Sequence, residues 1–339
     1  MTLLIALIVL ALVFDFINGF HDSANSIATV VSTRVLTPLQ AVIWAAFFNF
    51  VAYLIPNHGV ANTVKGMVNA DVISLSLLIG GLIGATIWNL LTWWWGLPSS
   101  SSHALLGGLT GAAFIKAGAA GINAAKLKTV LAFIPLAPVM GMVATYIIAV
   151  LIINICKNLP VFKVDKYFRR LQLVSSALFS IGHGGNDAQK TMGVIWAGLI
   201  CYSAKHSDVP SWLYVAGSGG LPKWAALGCF TAMGLGTLVG GWRIVKTMGQ
   251  RITALKPFEG FCAETAGALT LFLVNTLGIP VSTTHTITGS IMGAGMTKRL
   301  SAVRWGVAGN IVWAWILTIP ASAAMGAAAY YILEHFTKA

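Results

Sequence analysis

Two short clusters place acids and amides in the middle of apolar sequence. In GFHDSANS (19–26), Asp22 and Asn25 are three residues apart and Ser26 follows Asp22 at i+4, so on a helix the three share a face. Oxygen ligands on one face suit a hard cation or a proton relay. In GGNDAQKT (184–191), the same spacing sets Asp187 against Lys190, with Asn186 beside them. Pairing lowers the insertion cost of both charges, and the ammonium can meet an anion or replace a coupling cation. An ionised residue at the bilayer centre costs about 2.5–3.5 kcal/mol on insertion scales. The chain has nine Asp and Glu, and four of them (Asp15, Asp22, Asp187 and Glu264) fall within apolar stretches. Ser would serve as glue between helices, so acids here point to a wet cavity or a charged partner.

Two further clusters join hydroxyls to imidazoles. LPSSSSHALLGGLTGA (97–112) and IPVSTTHTITGSIMGA (279–294) each run from Pro through Ser/Thr to His, then into an apolar, Gly-spaced stretch. Pro followed by capping hydroxyls is a helix-start signal. A buried helix N-terminus offers free N–H groups and a partial positive charge, which together make an anion site. Two such starts meeting, with Ser101, Ser102, Thr283 and Thr284 as added donors, would surround a tetrahedral oxyanion with neutral groups. His103 and His285 would donate to it or carry protons. Weaker candidates are His183 before Gly184–Gly185, Glu259 and Glu264 in PFEGFCAET, and Asp15, placed to cap or brace the first cluster. Cys156, Cys201, Cys229 and Cys262 lack metal-type spacing and read as small buried apolar residues.

The elements that hold these clusters are membrane helices. The 339 residues are 57% hydrophobic and 9% charged, against about 25% charged in soluble domains. So few polar side chains cannot cover a water-facing surface. The net charge of +12 sits in short loops, which excludes a nucleic-acid face and reads as topology signal. Met1 to Phe14 has no basic n-region and is not expected to act as a signal peptide. Five apolar segments occur near 2–33, 38–56, 72–95, 99–117 and 128–156, and five more near 173–203, 222–242, 260–278, 281–297 and 303–335. Segments 2–33 and 173–203 carry the Gly-bearing polar clusters and are expected to be interrupted. Segments 99–117 and 281–297 are short, as broken or re-entrant helices are. The Trp93–Trp95 run and Trp313/Trp315 read as interface belts.

The two Ser/Thr–His blocks align without gaps, Pro98, Ser101, Ser102 and His103 on Pro280, Thr283, Thr284 and His285. The Asp clusters align in the same order, Asp22 on Asp187, His21 on Asn186 and Asn25 on Lys190. The chain thus reads as two repeats, 1–156 and 171–339, joined by 157–170 with Lys157, Lys163, Lys166, Arg169 and Arg170. By the positive-inside rule that linker is cytoplasmic, as are Arg243, Lys246, Arg251 and Lys256. Both termini then fall outside, and five crossings per half turn the repeats over relative to each other. Lys116, Lys126 and Lys128 disagree, because they land outside. The fold class expected is an all-α integral membrane protein of about ten segments in two inverted-topology repeats.

FINGFHDSANSIATVV (16–31) and SIGHGGNDAQKTMGVI (180–195) resemble the paired signature of the inorganic phosphate transporter (Pit) family. GGWRIVKTMGQRI (240–252), GFCAET (260–265) and PVSTTHTITGSIMGAG (280–295) look like its other blocks. The resemblance implies a secondary symporter, not an enzyme, in the bacterial inner membrane. By motif position Asp22, Asn25, Asp187 and the Ser/Thr clusters would line a phosphate site. Sodium-coupled members carry Asn-Asp-x-x-Asn in both halves. Here His21 replaces the leading Asn of the first and Lys190 the trailing Asn of the second. That departure resembles the low-affinity branch, in which phosphate travels with protons as a neutral complex with a divalent metal. The expected substrate site is Ser101, Ser102, Thr283, Thr284, Asn186, Lys190, His103 and His285, with Asp22, Asn25 and Asp187 for the proton or ion. No resident metal or cofactor and no nucleic acid are expected; lipid and a second copy in a homodimer are. Sulfate is the alternative anion and sodium the alternative ion. A channel or a membrane enzyme is a weaker reading, since no His-x-x-x-His or Cys–His cluster occurs.

Overall fold

The computed structural model describes residues 1–55, 57–217 and 219–338. In the first half the helices are α1 Thr2–His21, α2 Ser23–Ser32, α3 Pro38–Val51, α4 Gly59–Lys65, α5 Leu75–Trp95, α6 Ser101–Ala117 and α7 Ala124–Cys156. In the second they are α8 Val161–Ser203, α9 Lys223–Val239, α10 Trp242–Lys246, α11 Pro257–Thr276, α12 Thr283–Met296 and α13 Trp305–Lys338. Among the described residues the only β-type pairing is the isolated bridge between Val68 and Ile122. The basic stretch 161–170 forms the first turns of α8, where Arg169 pairs with Asp165 at 2.8 Å on the surface.

Among the described residues, five runs are long and apolar enough to cross a membrane. These are Thr2–Ser32, Leu75–Trp95, Ser101–Gly121, Ala124–Cys156 and Trp305–Phe336. Two bent pairs, Pro38–Leu54 with Gly59–Lys65 and Lys223–Val239 with Trp242–Arg251, raise this to seven. Ten segments were expected. The three left over are α8, α11 and α12, and for two of them the cause is plain. Helix α12 has 14 residues, too few for the roughly 20 a span needs. Helix α8 is long, but its middle carries His183, Asn186, Asp187, Gln189 and Lys190, all buried against other helices.

The two polar clusters also differ in backbone. At Asp22 (φ −93°, ψ 3°) α1 ends and α2 begins. A turn from the second half presses on this break: the Gly241 N–H donates to Ser23 Oγ at 2.6 Å, and a Cβ on Gly241 would come within 2.6 Å of the Phe20 carbonyl oxygen. In α8 the expected interruption is absent, and the helix continues through Gly184–Gly185. A helical glycine costs only about 1 kcal/mol, too little to break a helix packed along its length.

Glycines set the close approaches, in matched pairs. A Cβ on Gly19 of α1 would lie 2.3 Å from the Met233 carbonyl of α9, and one on Gly184 of α8 would lie 2.4 Å from the Asn49 carbonyl of α3. Gly111 of α6 fits against Ala323 of α13, and Gly293 of α12 against Met142 of α7. Each half therefore packs its helices into the other. Two apolar cores result. One includes Leu7, Leu82, Leu105 and Met233 beside α1, α5, α6 and α9. The other includes Ile27, Phe179, Leu271 and Ile287 beside α2, α8, α11 and α12.

Candidate functional site

The starts of α6 and α12 lie side by side. Each is capped by the serine before it: Ser100 Oγ accepts from the His103 N–H at 3.2 Å, and Ser282 Oγ from the His285 N–H at 3.1 Å. Ser102 donates to the Val281 carbonyl at 3.3 Å, joining the two starts. Both helix N-termini thus open beside the Asp clusters of α1–α2 and α8.

On the first-half side, Ser101 Oγ lies 2.5 Å from Asp22 Oδ2 and 2.6 Å from Asn18 Oδ1, two acceptors for its one proton. The other Asp22 oxygen lies 2.6 Å from His21 Nδ1, while His21 Nε2 lies 3.0 Å from Thr92 Oγ1 of α5. Ser99 donates to Thr92 at 2.8 Å. On the second-half side, Lys190 Nζ donates to Asp187 Oδ1 at 2.5 Å, to the Val281 carbonyl at 2.8 Å and to Ser102 Oγ. Three acceptors use all three protons of the ammonium. Thr283 donates to Asp187 Oδ2 at 3.1 Å. Across the halves, Asn25 Nδ2 donates to Thr283 and Thr284 at 3.1 and 3.0 Å.

Asp22, Asn25, Ser101, Ser102, Thr283, Thr284, Asp187 and Lys190 thus form one buried network. One oxygen each of Asp22 and Asp187 and a ring nitrogen of His183 lie within 4.8 Å of one another. That spacing can share a proton or hold a cation. The helix starts, the hydroxyls and Lys190 supply the opposite polarity, so the site offers anion donors and cation ligands in contact.

Three expected residues stand apart. Asn186 faces away, donating to Asn275 Oδ1 of α11 at 2.6 Å. His103 and His285 pack edge to face with ring centroids 4.8 Å apart, and His285 stacks on Trp315 at 3.8 Å. His285 Nδ1 also lies 3.4 Å from the Ile134 carbonyl of α7, while His103 Nδ1 and His285 Nε2 have no hydrogen-bond partner among the described residues. Trp315, expected in an interface belt, is buried and donates to the Pro98 carbonyl at 3.1 Å, so it braces the α6 start. Trp94, Trp95 and Trp313 are exposed.

Asn18, Thr92 and Asn49 have no counterpart in the sequence reading, and His183, Glu264 and Asp15 enter it only as weaker candidates. Asn18 could have been found, since it precedes Asp22 by one helical turn. His183 sits 3.2 Å from Asp187 Oδ2 at i+4 and reaches Ser26 and Asn49 at 3.3 and 3.2 Å. Thr92 and Asn49 carry no local signal, because only packing brings α5 and α3 to the clusters. Glu264 is held by Gln172 at 3.0 Å and Ser175 at 2.5 Å, away from the network. Asp15 is fully buried, and among the described residues neither of its oxygens has a hydrogen-bond partner.

Buried charges and two helix starts, gathered inside apolar helices, define a membrane transport protein. The chain belongs to the Phosphate transporter family, whose sequence profile matches residues 18–326. It is 50% identical over 98% of its length to a Rhizobium meliloti (strain 1021) protein described as a "probable low-affinity inorganic phosphate transporter", covering 97% of that protein. A Bacillus subtilis (strain 168) protein of the same description is 42% identical, with 98% and 97% of the two chains covered. A solved structure, "The sodium-dependent phosphate transporter", superposes with a TM-score of 0.86 at 26% identity, over 98% of this chain and 99% of that one.

Proposed function

We propose that this chain takes up inorganic phosphate by proton symport across the bacterial plasma membrane, with phosphate travelling as a neutral complex with a divalent metal. The observation that carries this reading is Lys190. Its ammonium stands against Asp187 and between the two helix starts. A fixed positive charge there opposes a sodium ion on the same carboxylate and attracts an oxyanion. Ser101, Ser102, Thr283 and Thr284 would be its hydroxyl donors, and Asp22 and Asp187 the proton carriers. The matched contacts of α6 with α13 and of α12 with α7 support two repeats of opposite orientation, rocking about the site in alternating access.

Sodium coupling is the second reading, favoured by the description of the solved neighbour. Uptake of radiolabelled phosphate into proteoliposomes separates the two. Uptake is expected to follow an imposed proton gradient and to ignore sodium. A strict sodium requirement would overturn the role given to Lys190, and excess sulfate that competes as well as phosphate would move the substrate.

A further inference from the structure

A second cluster of positive charge lies away from the Asp network. Lys65, at the end of α4, lies 3.6 Å over the Trp196 ring of α8. Lys126, in the first turn of α7, donates to the Asn62 and Thr63 carbonyls at 3.2 and 3.3 Å, at the negative end of α4. The fit is built in: a Cβ on Gly66 would come within 2.1 Å of the Lys126 ammonium, so glycine is what lets the lysine lie there. Both side chains line one cavity of about 320 Å³ with Asn69, Asn123 and Cys201. None of the described residues lining it is acidic. The loops around it are tied together, with Asn69 N–H donating to Gly121 O and Asn123 N–H to Met67 O, at 3.0 and 2.9 Å.

Two ammoniums at one cavity with no carboxylate in its wall repel each other unless an anion joins them. Their fixation by an aromatic face and by carbonyls leaves each charge uncancelled. Helix α4 runs from here to the site: two N–H groups of its first turn, on Val60 and Ala61, donate to Gln189, the residue before Lys190. Trp196 is six residues beyond Lys190 on α8, about 9 Å along the helix. By the loop charges all these segments face outside, and Lys126 is one of the lysines that the positive-inside rule misplaces.

We propose that Lys65 and Lys126 form an outer vestibule that captures the oxyanion before it reaches Lys190. Its ligand is taken as inorganic phosphate, which rests on the function proposed above. Electrostatic capture raises local concentration without touching the transport step. In proteoliposomes, Lys65→Gln and Lys126→Gln are each expected to raise KM for phosphate about fivefold or more, with Vmax kept and the dependence of KM on ionic strength flattened. Lys126→Arg should retain a near-normal KM, and Gly66→Ala, which displaces Lys126 and removes no charge, should raise it. Independently, phosphate should protect Lys65 and Lys126 of the intact chain from a membrane-impermeant acylating reagent. Unchanged KM in both Gln variants, or no protection, overturns the vestibule. If the Gln variants fail to fold, protection in the unmodified chain decides. If the unmodified chain transports no phosphate but phosphate still protects these lysines, the transport reading falls and the vestibule stands.

Discussion

Asp22 and Asp187 occupy matching positions in the two halves and are held in different ways. Each accepts a hydroxyl from the helix start of its own half, Ser101 for Asp22 and Thr283 for Asp187. Residue i+3 reaches in each case to the helix start of the other half, Asn25 to Thr284 and Lys190 to Ser102. The difference is charge. Both carboxylates have a hydroxyl and an imidazole beside them, but only Asp187 is matched by an ammonium and only Asp22 sits at a chain break. The frame is common to the two halves and the ion chemistry is not. Asp187 is paired within its own helix, so under the proposed function Asp22 is the carboxylate left to take a proton or cation.

The largest test of this contrast removes Asp187. Asp187→Asn strands Lys190 as a buried charge, and breaking such a pair costs about 3–5 kcal/mol. Uptake should vanish and the detergent-solubilised protein should unfold at lower temperature. Asp22→Asn should also abolish radiolabelled phosphate uptake, but with membrane insertion and thermal stability near normal, because Asn still accepts from Ser101. Near-normal uptake would remove Asp22 from the mechanism. Equal stability losses in the two variants would erase the asymmetry between the halves.

The packing frame gives a middle-sized test. Gly184→Ala drives a Cβ to 2.4 Å from the Asn49 carbonyl, whereas at Gly185 the nearest atom is 3.5 Å away. The first should cost about 1–3 kcal/mol as overpacking. The second should be neutral or stabilise slightly through helix propensity. Thermal unfolding of the two variants reads the difference. The smallest effect expected is that of Asn186→Ala. Its partner is Asn275, outside the network, so phosphate KM should stay within about twofold and the loss should be near 1 kcal/mol of stability. A large rise in KM would return Asn186 to the substrate site.

Much of the site was legible because its parts are local. The i,i+3 spacing put Asp22 with Asn25 and Asp187 with Lys190, and the Pro–Ser/Thr–His runs marked two helix starts that do form and are capped as such. His103, His285 and Asn186 were grouped with them on residue type and adjacency. A helix turns 100° per residue, so neighbours of a site residue face elsewhere.

The sequence alone determined the membrane solvent, the repeated motifs and the asymmetry at Lys190, since these depend on composition and short spacing. Tertiary structure decided the rest. It placed Ser102 on Lys190, Thr92 on His21 and Trp315 beneath His285. It kept α8 whole where α1 breaks at Asp22. A glycine or a buried polar group has no fixed outcome by itself. What packs against it, a helix backbone at Gly184 or an inserted turn at Ser23, sets whether the chain continues or bends.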